Sequence, residues 1–62
     1  MNKDTKMWLL NIENAADEVA IKYGSEVAKS VFQRYGAHGI YDLSPCYYSE
    51  VFADLELIAN DN

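Results

Sequence analysis

The apolar side chains of the first 23 residues recur at steps of three or four, and this periodicity constrains the fold more than any other feature. Steps of this size place side chains on one face of an amphipathic helix. We predict a helix over residues 5–23, capped by Asp4 or Thr5. Lys22-Tyr23-Gly24 ends it, because a cation suits the helix C-terminus and glycine tolerates the left-handed conformation that follows. The predicted core face consists of Trp8, Ile12, Ala15, Ala16, Val19 and Tyr23.

Two further helices are predicted in the rest of the chain. The second spans residues 26–35, with Ser25 as its N-cap, and the glycine at position 36 ends it. The third spans residues 45–59, because Ser44-Pro45 places a capping side chain before a proline at the first helical position. Residues with β-branched side chains cluster too rarely for a sheet. We therefore expect an all-α fold, a compact three-helix domain.

A domain of 62 residues buries only about 60% of the surface that its unfolded chain exposes, so its stability is marginal without further support. Cys46 is the single cysteine, so no disulfide forms within the chain, and one cysteine with one histidine falls short of the four ligands of structural zinc. Half of the residues are hydrophobic, which favours an apolar core or self-association. We expect one domain over residues 1–62, without metal or cofactor, that is able to form a homodimer.

Three apolar side chains of the first helix fall outside its predicted core face. They are Met7, Leu10 and Ile21. A helix that is apolar on two sides is either central to its domain or shared with a partner. We interpret the three residues as a dimer seam, and the alternative is burial under the connection at residues 37–43.

The charge of the chain is unevenly distributed. All five basic residues lie within residues 1–34, where five acidic residues balance them, while residues 35–62 hold five acidic residues and no Lys or Arg. The formal net charge of −5 therefore belongs to the last 28 residues. Because binding to a nucleic-acid backbone needs cations, this half disfavours direct nucleic-acid binding. It favours a basic protein surface as the partner.

The third helix carries the predicted partner-binding residues along one edge of its apolar face. We name them the acidic strip, which consists of Tyr47, Glu50, Asp54, Leu57 and Asp61. Interface cores favour aromatic and aliphatic anchors, and acids around them select a basic partner. The alternative is an ordinary solvated face with one exposed leucine.

No arrangement of residues predicts catalysis, so we expect a protein that is not an enzyme. Cys46 lies in the first helical turn, where the dipole lowers the pKa of a thiol, but a nucleophile needs an oriented base. His38 is the only histidine, and it lies on a loop eight residues earlier. A metal site from His38, Asp42 and Cys46 would need a continuous helix, which Pro45 disfavours.

Two alternatives to an acidic interaction protein remain open at this point. One is a DNA-associated module resembling a helix-turn-helix, which would use Lys22, Lys29 and Arg34. Against it, the connection at residues 36–44 is longer than the usual turn of three or four residues, and the last helix lacks cations. The other alternative is a structural dimerisation module without an external ligand.

The last two-thirds of the chain resemble small uncharacterised proteins carried by phages and conjugative elements of gut bacteria. The similar segments are Tyr35-Gly36-Ala37, Asp42-Leu43-Ser44-Pro45 and Tyr48-Ser49-Glu50-Val51-Phe52. Many small acidic proteins of such elements inhibit host defence nucleases, anti-CRISPR proteins among them, so the resemblance implies an inhibitor of this kind. It assigns no role to a single residue.

The sequence favours residence in the cytoplasm. It holds no run of about 18 apolar residues that would span a membrane. The apolar run at residues 7–10 is too short for the core of a signal peptide. A single free thiol is compatible with a reducing compartment.

Overall fold

The computed structural model describes residues 3–60 and confirms an all-α, three-helix fold, with no strand among these residues. Two short 3₁₀ turns lie in the connection between the second and third helices. The elements in chain order are α1 (Lys3–Tyr23), α2 (Ser25–Gln33), the turns Ile40–Asp42 and Pro45–Tyr47, and α3 (Tyr48–Ala59).

A single residue, Gly24, separates α1 from α2. Its N–H donates to the carbonyl of Ala20 at 2.9 Å, and its carbonyl accepts from the N–H of Val27 at 3.2 Å. Gly24 therefore belongs to the hydrogen-bond ladders of both helices. Its φ is +101°, a conformation that glycine adopts readily and that is strained for other residues. This conformation allows the chain to change direction between two helices at a single residue. The predicted cap at Ser25 is wrong, since Gly24 is the N-cap and Ser25 is already helical.

α2 ends in a Schellman motif. The N–H of Gly36 donates to the carbonyl of Gln33, and the N–H of Ala37 donates to the carbonyl of Phe32, each at 3.1 Å. Gly36 has a φ of +76°, so the predicted glycine stop is confirmed. Ala37 and Phe32 are both buried, which provides the apolar contact that often accompanies this motif. The regular helix ends two residues before the predicted boundary, because these two hydrogen bonds replace the α-helical pattern in the last turn.

The start of α3 differs from the prediction. Pro45–Tyr47 form a 3₁₀ turn, and the α-helix begins at Tyr48 rather than at residue 45. Ser44 precedes the turn in an extended conformation, and its carbonyl accepts the N–H of Tyr47 at 3.0 Å. Its hydroxyl caps no backbone group and lies 3.4 Å from the Cys46 sulfur. Backbone geometry at the proline, rather than a side-chain cap, therefore starts this segment.

The core lies between the three helices, and α1 packs against both α2 and α3. Of the predicted α1 face, Ile12, Ala15 and Val19 are buried and Tyr23 is exposed at the helix end. Trp8 is partly buried and meets Phe52 edge to face, with ring centroids 5.9 Å apart. The side chains without solvent exposure are Ile12, Val19, Val31, Val51 and Leu55.

An ammonium group fastens the C-terminal ends of α1 and α3 together. Lys22 Nζ donates to the carbonyl of Ala59 at 2.8 Å and lies 3.2 Å from the Glu18 carboxylate. The carbonyls of a last helical turn lack intrahelical partners and carry the negative end of the helix dipole. Lys22 lies at the predicted end of α1, and its ammonium group also supplies a hydrogen-bond donor to a C-terminal carbonyl of α3.

Candidate functional site

Three described residues of the acidic strip lie along one side of α3, Tyr47 directly precedes the helix, and the four residues differ in exposure. Leu57 is 73% exposed and Tyr47 is 37% exposed, while Glu50 is exposed and Asp54 is partly buried. Asp61 lies outside the described residues. The strip therefore has a solvent-facing portion and a portion that packs against α2.

Asp54 is held by residues at the end of α2. The Tyr35 hydroxyl donates to its carboxylate at 2.6 Å, and the Arg34 guanidinium lies 3.8 Å away. The hydrogen bond to Asp54 raises the pKa of the Tyr35 hydroxyl, and desolvation and the nearby carboxylates raise it further. These contacts join the end of α2 to α3 through Asp54, which the sequence also places in the predicted partner-binding strip.

Tyr35 also orients Tyr47, the first residue of the strip. Their ring centroids are 5.1 Å apart and the planes are tilted by 41°. The hydrogen bond to Asp54 fixes one edge of Tyr35, and the ring of Tyr47 packs against it. Tyr35 therefore belongs to the site. The sequence placed it only on the apolar face of α2, since no local pattern reveals its contacts with α3.

Glu50 and Leu57 form the solvent-facing portion of the strip. Within residues 3–60, no hydrogen bond or ion pair joins the Glu50 carboxylate to another group. Leu57 borders a shallow, open depression on α3 that is shared with Ala53, Glu56 and Asn60. This surface can contact another macromolecule, but it does not enclose a small substrate.

The loop after α2 is organised by the Asp42 carboxylate. It accepts the backbone N–H groups of His38 and Gly39 at 3.0 Å and lies 3.1 Å from His38 Nδ1. These backbone hydrogen bonds, followed by the contact with the His38 ring, lower the pKa of Asp42 to about 2. The spacing Gly39-x-x-Asp42 matches one half of a capping box, a signal that the sequence contained.

The two residues considered for nucleophilic or metal chemistry, His38 and Cys46, are both exposed and are not in contact with each other. The His38 side chain points into solvent apart from its contact with Asp42, and Cys46 is an exposed free thiol. Among residues 3–60, no three His, Cys, Asp or Glu side chains are grouped so as to hold a metal ion.

The structure places the predicted dimer seam on the side of α1 away from the core. Met7 is 60% exposed, Leu10 is 53% exposed and Ile21 is 85% exposed. The alternative, burial under residues 37–43, is wrong, because this connection contributes Ala37 and Leu43 to the core instead.

No family model matches the chain, and no curated protein or solved structure is significantly similar to it. Within residues 3–60, no helix is long and apolar enough to cross a membrane.

Proposed function

We propose that this chain is a non-catalytic interaction protein whose α3 binds a basic protein surface. The observation that carries the proposal is Leu57, 73% exposed on a helix side that also presents Glu50. A large exposed aliphatic side chain with an unpaired carboxylate two turns away on the same side of the helix is the composition expected of an apolar anchor with an acidic rim. From residue 35 onward the chain contains no Lys or Arg to neutralise this rim.

The sharper form of the proposal is an inhibitor that occupies the nucleic-acid-binding site of a host defence protein. Glu50 and Tyr47 would take the places of a phosphate and a base, in electrostatics rather than in detail. Tyr47 is suited to this role, because its contact with the Tyr35 ring reduces the conformational entropy lost on binding. The resemblance to small acidic proteins of phages and conjugative elements supports the same function.

The DNA-associated alternative loses support from the contacts of its cations. Lys22 is engaged with the end of α3, and Arg34 lies beside Asp54. Of the three basic residues that this alternative would use, Lys29 alone has no ion pair within residues 3–60. A duplex backbone would have to compete with internal carboxylates for the other two.

Affinity capture from a defined protein fraction tests the proposal. The immobilised chain is offered a heparin-enriched fraction of gut-bacterial lysate, which contains basic nucleic-acid-binding proteins. Capture is compared with that of the double variant Glu50→Lys/Leu57→Asp. The matched control is Glu13→Lys, which reverses an exposed acid on α1. Asp54 is left intact, because its replacement would remove the Tyr35 hydrogen bond and confound folding with binding.

The expected result is a basic protein retained by the wild type and by Glu13→Lys but lost from the double variant. Purified, that protein should bind with an affinity that falls steeply as salt is added. Equal retention by all three baits would contradict the proposal, as would retention of acidic proteins alone. Circular dichroism of each variant confirms that the helices are intact.

A further inference from the structure

Asp54 lies between the two exposed residues on which the proposed function depends. Glu50, Asp54 and Leu57 follow one another at steps of four and three, which places them along the same side of α3. The Asp54 side chain is 26% exposed, so solvent reaches part of its carboxylate. The two oxygens of that carboxylate have different surroundings.

One carboxylate oxygen of Asp54 is used within the fold and the other is not. The Tyr35 hydroxyl donates to Oδ2 at 2.6 Å, and Arg34 Nη1 lies 3.8 Å from the same oxygen. Within residues 3–60, Oδ1 accepts no hydrogen bond, and no side-chain polar atom that lacks a hydrogen bond is buried. Oδ1 is therefore an accessible acceptor on a carboxylate whose orientation Tyr35 holds.

The position of Arg34 shows which chemistry this carboxylate attracts. A guanidinium of the chain itself lies at the edge of the acidic strip, at a distance too long for a hydrogen bond. The Arg34 side chain is 58% exposed, and an ion pair in such a position contributes little because water and salt screen it. A cation from another molecule can therefore take the place of Arg34 at small cost.

We propose, resting on the function proposed above, that a cationic side chain of the partner binds between Glu50 and Asp54 Oδ1 and that Arg34 competes with it. The hydrogen bond from Tyr35 to Oδ2 is kept in the complex. Asp54 is therefore ordered before the partner arrives, and it loses less conformational entropy on binding than a free carboxylate does. Asp54 serves the fold through Oδ2 and the partner through Oδ1.

Removing the competitor tests the proposal. The probe is a hexa-arginine peptide, titrated into the full chain at low salt and followed by calorimetry. Arg34→Gln should lower its dissociation constant about twofold to fivefold, because the internal cation no longer competes. The same variant should lower the urea midpoint of unfolding slightly, because the internal ion pair is lost. Tighter binding by a less stable chain cannot result from damaged folding.

The matched control is Lys29→Gln. It removes the same charge from an exposed position of α2 that has no ion pair within residues 3–60. We expect its dissociation constant to stay close to that of the wild type. Equal tightening by the two variants would assign the effect to net charge and would overturn the proposal, as would an unchanged dissociation constant for Arg34→Gln.

Carbon-13 NMR of the side-chain carboxyl groups observes Asp54 without replacing it. Titration with hexa-arginine should shift the carboxyl resonances of Glu50 and Asp54 and leave that of Glu13 on α1 unchanged. A shift at Glu50 without one at Asp54 would overturn this proposal and leave the proposed function intact. No shift at either residue would contradict both.

Discussion

Replacing each of the three glycines by alanine should give three different stabilities, although an added Cβ has the same amount of space at each. A Cβ built at Gly24, Gly36 or Gly39 meets no atom within 4 Å. Steric clash with neighbours therefore does not distinguish the sites, and backbone conformation alone does. Gly24 has a φ of +101° with a ψ of 150°, Gly36 has a φ of +76°, and Gly39 is extended at −173°.

The expected magnitudes follow from these angles. Gly24 lies in a region occupied almost only by glycine, where another residue costs about 1–3 kcal/mol. Gly36 lies in the left-handed region, where the cost is about 1–2 kcal/mol. Alanine also reduces the conformational entropy of the unfolded chain, which raises the free energy of unfolding by about 0.4–1 kcal/mol at every site. Gly24→Ala should therefore lose about 1–2 kcal/mol and Gly36→Ala about 0.5–1 kcal/mol, while Gly39→Ala gains about 0.4–1 kcal/mol.

Urea and thermal unfolding followed by circular dichroism measure this series. A domain of this size loses about 4–8 °C in Tm per kcal/mol, so Gly24→Ala should melt about 5–15 °C below the wild type. All proteins are measured at one concentration, since self-association would shift Tm. Equal effects at the three sites, or a stabilising Gly24→Ala, would refute the backbone argument. Gly36→Asn should fall between Gly36→Ala and the wild type, because asparagine tolerates the left-handed region better.

Two further predictions concern charged groups that organise the fold. The pKa of Asp42 is lower in the folded chain than in the unfolded chain, so its contribution to the free energy of unfolding is present above about pH 4 and is lost as the pH falls towards 2. Asp42→Asn should therefore lower the urea midpoint at pH 7. The variant should also show a smaller decrease in that midpoint than the wild type between about pH 5 and about pH 2.5. Lys22→Met should lower stability by about 0.3–1 kcal/mol, because the Ala59 carbonyl loses its charged donor. The control is Lys29→Met, at an exposed position of α2. Equal urea midpoints for the two lysine variants would contradict a stabilising role for the hydrogen bond between Lys22 and the Ala59 carbonyl.

The fold could be predicted from the sequence because local signals agree with one another. The apolar periodicity of residues 8–23 predicts the first helix, and the glycine at position 36 predicts the end of the second. Each signal is contained within a short segment of the chain. Errors occurred where two local interactions compete for one segment. At Ser44-Pro45 the side-chain cap was expected, but the proline starts a 3₁₀ turn, and at Gly24 the helix changes direction too abruptly for Ser25 to act as cap.

The candidate site could be predicted only in part, because periodicity assigns a side chain to a face but not to a neighbour. Glu50 and Leu57 were placed outward, and both are exposed. Asp54 lies on the same edge of α3, yet an arginine and a tyrosine that directly follow α2 reach it across a separation of about twenty residues. Such a contact depends on how α2 and α3 pack together, which no pattern within either helix records.

The placement of cations explains why the acidity of α3 remains available on one side. Lys22 reaches the end of the helix and Arg34 reaches Asp54, so positive charge from the first 34 residues covers two regions of α3. Within residues 3–60, no cation pairs with Glu50. Leu57 follows Glu50 by seven residues, or about 10 Å along the helix. A partner that satisfies both residues must therefore present a cation and an apolar surface at that separation, which is a stricter requirement than positive charge alone.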